Sequence, residues 1–197
     1  MSVLQVGDLP SYRFGHHSLM WWGVIATVAI EGTVFALALV SYFYLRSNTP
    51  QWPPNAAAPN LTWGTLNTIV LVASIVPNEW TKRAAERGDL AIVRIGMVIC
   101  LLFTVVFLGI RVLEFQTLNV RWDSNAYGSM TWTLMGLHTT HLVTDALDSA
   151  VLAVLMFTGP LEGRRFVDVS ENGVYWNFVV IAWIPIYAVV YWVPRLG

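Results

Sequence analysis

His138, His141, Asp145 and Asp148 follow one another at intervals of three, four and three residues. On an α-helix that spacing puts all four on one stripe, because residues three and four apart are neighbours on the helix surface. Imidazole and carboxylate together could hold a metal, carry a proton or bind an adjacent helix. Carboxylate-bridged di-iron bundles need paired Glu-x-x-His motifs and further glutamates from other helices, and Glu31 and Glu114 are the candidates here for the remainder. The simpler reading is a polar seam facing protein or water. Haem ligation meets a geometric obstacle: axial ligands approach opposite faces of the iron, whereas His138 and His141 project from one face of one helix. His16 and His17 precede the first apolar run and suit a wet or interfacial position.

Glu31 is the one formal charge between Arg13 and Arg46. Counted from Ser18 it lies about 20 Å along a helix rising about 1.5 Å per residue, close to mid-membrane. An ionisable group at that depth is costly unless paired, hydrated or neutral. It either makes a structural hydrogen bond to a neighbouring helix or lipid, or handles protons. Arg111 and Glu114, three residues apart near the end of an apolar run, have the spacing of an ion pair at the membrane interface, with snorkelling and a weak exposed contact as the plainer reading. Cys100 is the single cysteine, so a disulfide, a zinc knuckle, a c-type haem attachment or a dicysteine copper site cannot be built from this chain alone. No phosphate loop, nucleophile elbow or Cys–His pair is visible.

The elements that must position these side chains follow from the apolar runs. Of 197 residues 56% are hydrophobic and 12% charged, with mean hydropathy +0.58, against about 25% charged in soluble domains. Ten Trp, seven Tyr and nine Phe fit aromatic belts at membrane interfaces. A net charge of −1 leaves no basic face for nucleic acid. Runs of roughly 20 apolar residues satisfy their backbone in lipid as helices. The sequence predicts an all-α, polytopic bundle of five transmembrane helices, at about residues 18–45, 62–84, 90–115, 127–157 and 172–194, within a single membrane domain covering 1–197. The polar lead and the long first run argue that the first span is retained and is not a signal peptide.

With five spans, Arg13, Lys82, Arg83, Arg87, Arg164 and Arg165 share one side, and Arg46, Arg121 and Arg195 the other. That bias favours an N-terminus inside and a C-terminus outside. The segment 47–59 carries Pro50, Pro53, Pro54 and Pro59, reading as an ordered external loop, and Asn78–Asp89 mixes both signs as a solvated helical hairpin on the inner side.

In this order along the chain, several short motifs resemble one family. Trp21 and Trp22 with Glu31 and the run Tyr42–Tyr44 are similar to its carboxylate-bearing helix, and Trp52–Pro54 to its WPP loop. Leu66–Thr68, Ala84–Asp89 (AAERGD), Phe107–Phe115 (FLGIRVLEF), Ala126–Ser129 (AYGS), Gly136–His141 (GLHTTH) and Tyr175–Trp183 (YWNFVVIAW) follow. On these motifs the chain resembles subunit III of the haem-copper terminal oxidases (cytochrome c oxidase), in its short five-helix form.

The resemblance implies a subunit that binds no haem, copper or other metal of its own, contains no catalytic residue and sits beside a haem-copper catalytic subunit I and a subunit II. It further implies bound phospholipid and support of sustained proton uptake in the bacterial cytoplasmic membrane, coupled to aerobic electron transport. Residue by residue, Glu31 would be the membrane carboxylate, His138 and His141 the paired histidines, and Glu114 the acidic end of the third helix. The family usually has His and Asp where Asn177 and Val180 stand, Gln at Arg111 and Gly at Asp145. Those departures keep a quinol-oxidase or nitric-oxide-reductase-associated relative in view. Readings of another class are an intramembrane metalloenzyme built on the stripe with Glu31 and Glu114, and a small proton-coupled transporter relaying through Glu31 and Asp145.

Overall fold

The computed structural model describes residues 9–54, 56–160 and 163–196. Five helices dominate them: α1 (Leu19–Ser47), α2 (Leu61–Glu86), α3 (Leu90–Gln116), α4 (Ala126–Thr158) and α5 (Gly163–Tyr187). Each, with α5 taken through its continuation to Arg195, is long and apolar enough to cross a membrane. The fold is all-α, with no strand among the described residues.

Short polar side chains set where the helices begin. The Ser18 hydroxyl accepts from the Met20 and Trp21 amides, and Asn60, Asp89 and Asn125 accept from Thr62, Ile92 and Gly128. Each satisfies amides that the first turn leaves without an intrahelical partner. Between α2 and α3 the chain reverses over Arg87–Asp89: Gly88 takes φ +71°, its amide bonds Ala85 O, and the Asp89 amide bonds Ala84 O. This paired closure needs a left-handed residue, which glycine supplies without steric cost. Past Pro185, α5 runs into a π turn (Ala188–Trp192) and a 3-10 turn (Val193–Arg195). The wider turn brings Val189, Val190 and Tyr191 onto the core.

α2 packs against α3 and α5, α4 against α3 and α5, and α1 lies along α4 and α5 at the edge. At the α2–α3 contact Gly96 sits where a Cβ would collide with Thr81, and Gly64 lies beneath the Tyr191 ring in the same way. The outer surface is apolar: Ile30, Leu37 and Val40 of α1, Ile69 and Val76 of α2, Leu102 and Val105 of α3, and Leu147 and Val154 of α4 are exposed. A rim of that kind faces hydrocarbon, where polar groups turn inward. The proline loop folds back on the bundle: the Trp52 indole N–H donates to Tyr42 Oη at 2.8 Å, and its ring packs edge-on against Tyr42 and Tyr127.

Helix α5 begins well before the charge-free run that marks it in the sequence. Arg164, Arg165, Asp168 and Glu171 occupy its first turns, because an absence of charge marks the oily part of a span and not the helix itself. For the same reason the Asn78–Asp89 stretch is the last turns of α2 and the reversal. It is not wholly solvated: Asn78, Thr81, Ala84 and Ala85 are buried against neighbouring helices.

Candidate functional site

Three polar clusters occupy the bundle. The first joins α1, α4 and α5 halfway along α1. Tyr175 Oη donates to Glu31 Oε2 at 2.7 Å, and His141 Nε2 stands 3.6 Å from the same oxygen. His141 Nδ1 is 2.7 Å from Leu137 O. A carbonyl only accepts, so Nδ1 carries a hydrogen and Nε2 is the nitrogen left for exchange with Glu31. The carboxyl and imidazole thus face each other just beyond direct hydrogen-bond reach. The Phe35 ring covers the imidazole, with centroids 4.9 Å apart.

The second cluster is built on Arg111 and Glu114 and replaces the exposed contact with a sealed one. Their ion pair forms, Nη1 to Oε2 at 2.8 Å, yet neither side chain is more than 2% exposed. The pair is therefore closed off inside the bundle and is not the weak exposed contact, although Glu114 stands only two residues before the end of α3. Helix α2 and α5 with its continuation close over them: Asn67 Nδ2 donates to Glu114 Oε2 at 3.0 Å, Tyr191 Oη donates to Glu114 Oε1 at 2.5 Å, and the guanidinium carbon sits 4.0 Å from the Trp183 ring centroid. Arg111 Nη2 also reaches His138 Nδ1 at 3.3 Å, while His138 Nε2 is 3.0 Å from Val179 O. Val179 O only accepts, so Nε2 donates and Nδ1 accepts from Arg111. Both ring nitrogens of His138 are occupied, leaving no lone pair for haem iron or another metal.

The third cluster gathers the acids of α4 on α5. Asn172 Nδ2 donates to Asp145 Oδ1 at 3.3 Å and to Asp148 Oδ2 at 3.1 Å, and its Oδ1 accepts from Ser149 Oγ at 3.1 Å. The stripe of four therefore divides. Residues three apart differ by roughly 60° around a helix axis at 3.6 residues per turn. His138 and Asp145 turn into the bundle, while His141 faces α1 and Asp148 is exposed. Glu31 and Glu114 fall in separate clusters, so the two do not complete one metal site with the stripe. Among the described residues no group of three or more His, Cys, Asp or Glu is disposed to hold a metal ion.

Sequence reading missed the partners that organise these clusters: Tyr175, Tyr191, Asn67, Asn172 and Trp183. The tyrosines read as interfacial aromatics, and Asn172 as the edge of a charge-free run. Asn177, already marked as unusual, links α2 to α5: its Nδ2 donates to Glu79 Oε1 at 2.7 Å and its Oδ1 accepts from Asn78 Nδ2 at 3.0 Å.

Apolar exterior, five spanning helices and ionisable side chains spent on one another between helices define an integral membrane protein whose polar groups knit the bundle. A sequence model of the family described as cytochrome c oxidase subunit III matches residues 12–194. The chain belongs to that family and is a component of an oxidase complex. It is similar to cytochrome c oxidase subunit 3 of Thermostichus vulcanus, 26% identical over 176 residues, covering 88% of this chain and 87% of the relative. Subunit 3 of Synechocystis sp. is 26% identical over 189 residues, covering 92% and 80%. A heme-copper oxidase subunit I+III of Aeropyrum pernix is 27% identical over 184 residues, which is 88% of this chain but 22% of that longer protein.

Proposed function

We propose that this chain acts as a non-catalytic flank of a haem-copper terminal oxidase, forming one membrane domain beside a subunit I and a subunit II that carry the haem and copper. The fused Aeropyrum relative, whose name joins subunits I and III, supports that adjacency. Phospholipid contacts the apolar rim, and the membrane is the bacterial cytoplasmic membrane with the N-terminus inside. The chain's own contribution is to sustain proton uptake during oxygen reduction, with Glu31 handling protons. The observation that carries this reading is a carboxyl midway along α1, hydrogen-bonded by Tyr175 and faced by the His141 imidazole at 3.6 Å. A purely structural hydrogen bond would not need a second titratable ring against the same oxygen.

The purified Glu31→Ala oxidase is expected to keep its haem spectrum and subunit composition while its activity decays sooner during continuous turnover. Loss of the haem signal from a normally assembled complex would overturn the role, as would an unaltered working lifetime.

A further inference from the structure

A groove of about 710 Å³ opens between α1, α4 and α5 on the side where α1 begins. Tyr12, Met20, Leu155 and Arg164 line its mouth, and Thr27, Thr144 and Tyr175 its inner end. From Arg164 to Tyr175 the helix advances about 16 Å at about 1.5 Å per residue, which makes the groove a deep one. Four carboxylates line it between those ends: Asp145, Asp148, Asp168 and Glu171.

Two of those acids are not surface groups. Asp145 is 4% exposed and Glu171 is 2% exposed, and Glu171 Oε2 has no hydrogen-bond partner among the described residues. A buried carboxylate oxygen without a partner is costly, which marks Glu171 as a group not satisfied within this chain. Nearby cations offset part of this negative charge. Arg164 lies over the Tyr12 ring at 4.2 Å, Arg165 reaches Asp168 at 3.9 Å, and Lys82, the α2 cation acting on Glu171, is held by Glu86 at 3.3 Å. A second, enclosed polar cavity of about 20 Å³ shares Asp145 and Asn172 with the groove wall, room for about one water.

We infer that this groove is a water-filled, cation-selective inlet that brings protons from the α1 N-terminal side to the Tyr175–Glu31–His141 cluster. The inference rests on the proton-handling reading of Glu31 and names its source side and route. Tyr175 connects the two, since it lines the inner end of the groove and donates its hydroxyl hydrogen to Glu31 Oε2. A hydronium at that end gives a proton to the phenol oxygen while the phenol releases its own to the carboxylate. Hydronium becomes water, the carboxylate becomes a carboxyl, and the tyrosine is unchanged. A lipid headgroup suits the groove less well. Met20, Val24, Val151, Leu152 and Leu155 give the groove an apolar wall, but an acyl chain reaching as far in as Thr27 and Thr144 would lie against Asp145 and Asp148. Four carboxyls against the single guanidinium of Arg164 leave the lining mostly acidic, and a mostly acidic cleft concentrates cations, raising their encounter rates by about tenfold or more.

The test uses the assembled oxidase in sealed vesicles of either orientation, with Cys100→Ser as background and single cysteines read by the mass of this chain. Thr27→Cys and Thr144→Cys are expected to react with a cationic methanethiosulfonate about tenfold faster than with an anionic one. They should do so only from the side that also labels Thr158→Cys, at the exposed end of α4. Leu37→Cys, on the apolar rim, should stay unreacted over the same time. Asp148→Asn should narrow the gap between the two rates, and Glu171→Gln should do the same where it assembles. Reaction as slow as at Leu37, reaction from the opposite side, or a charge preference indifferent to Asp148 would each overturn the inlet. Fast, charge-selective labelling with a normal lifetime in the Glu31→Ala oxidase keeps the inlet and removes the uptake reading. Slow labelling with a shortened lifetime does the reverse.

Discussion

At the residue scale, the costliest arrangement in the molecule is the Arg111–Glu114 pair. Two charges taken out of water are tolerable only if nearly every remaining donor and acceptor is met. Asn67, Tyr191, His138 and the Trp183 ring meet most of them, although Asn67 Oδ1 and Arg111 Nε keep no partner within the described residues. Removing one charge leaves the other buried and unpaired, so Arg111→Met is expected to cost about 3–5 kcal/mol. The double variant Arg111→Met with Glu114→Gln should recover most of that loss, because it removes the stranded charge with its partner. Thermal denaturation of the purified complex, followed through release of this chain, measures both. A single variant as stable as the parent would mean the pair is hydrated and not sealed.

The same pair shows what spacing can and cannot say. Residues three apart on a helix declare a pair, yet depth depends on whether other helices close over it, and those partners stand far along the chain. Glu31 is legible because it is the single charge in a long apolar run. Its hydrogen-bond donor, Tyr175, is not, since a tyrosine late in the chain looks like any interfacial aromatic. His138 and His141 are legible as neighbours. That one turns to Val179 and Arg111 and the other to Glu31 is a property of three surrounding helices and not of the stripe.

At the element scale, charge-free runs locate the spans, and caps locate their ends. The Ser18, Asn60, Asp89 and Asn125 caps are written in the sequence, but an asparagine or serine becomes a cap only where the chain before it is extended, as each of these is. Close approach between helices is less legible still. Gly96 looks like an ordinary small residue in a membrane helix, whereas its missing Cβ is what admits Thr81 of α2. Thr81 is itself fixed, its hydroxyl donating to Pro77 O at 2.7 Å. Gly96→Val should therefore force α2 and α3 apart and cost about 1–3 kcal/mol by overpacking. Thr81→Ala should return part of that loss in the double variant, because it removes two of the three atoms a new side chain meets, leaving the Thr81 Cβ position. Unfolding midpoints of the four proteins of the cycle decide the point, and additive effects would show that the two residues do not share one contact.

At the scale of the whole molecule, helix order and charge together set a direction across the bilayer. With each helix crossing once, the α1 and α5 starts lie with the α2–α3 reversal, and the loop 48–60 lies at the other end beside the α5 terminus. The cations at that second end are largely committed. Arg195 donates to Tyr191 O and Pro59 O, and Arg121 pairs with Asp123 at 3.2 Å. At the first end Arg83 and Arg87 are exposed, with Arg83 only loosely held by Glu79 at 3.8 Å. Positive residues near short loops resist translocation, so the proposed N-inside orientation rests on the count of Lys and Arg at the two ends. Gln51→Cys, exposed in the proline loop, is then expected to react with an impermeant maleimide on intact spheroplasts. Thr158→Cys, exposed at the end of α4, is expected to react only after the membrane is opened. Neither change alters the charge balance that sets the orientation. The opposite pattern would place the acidic groove on the outer face, and the Glu31 cluster would then draw its protons from the side to which a respiratory oxidase delivers them.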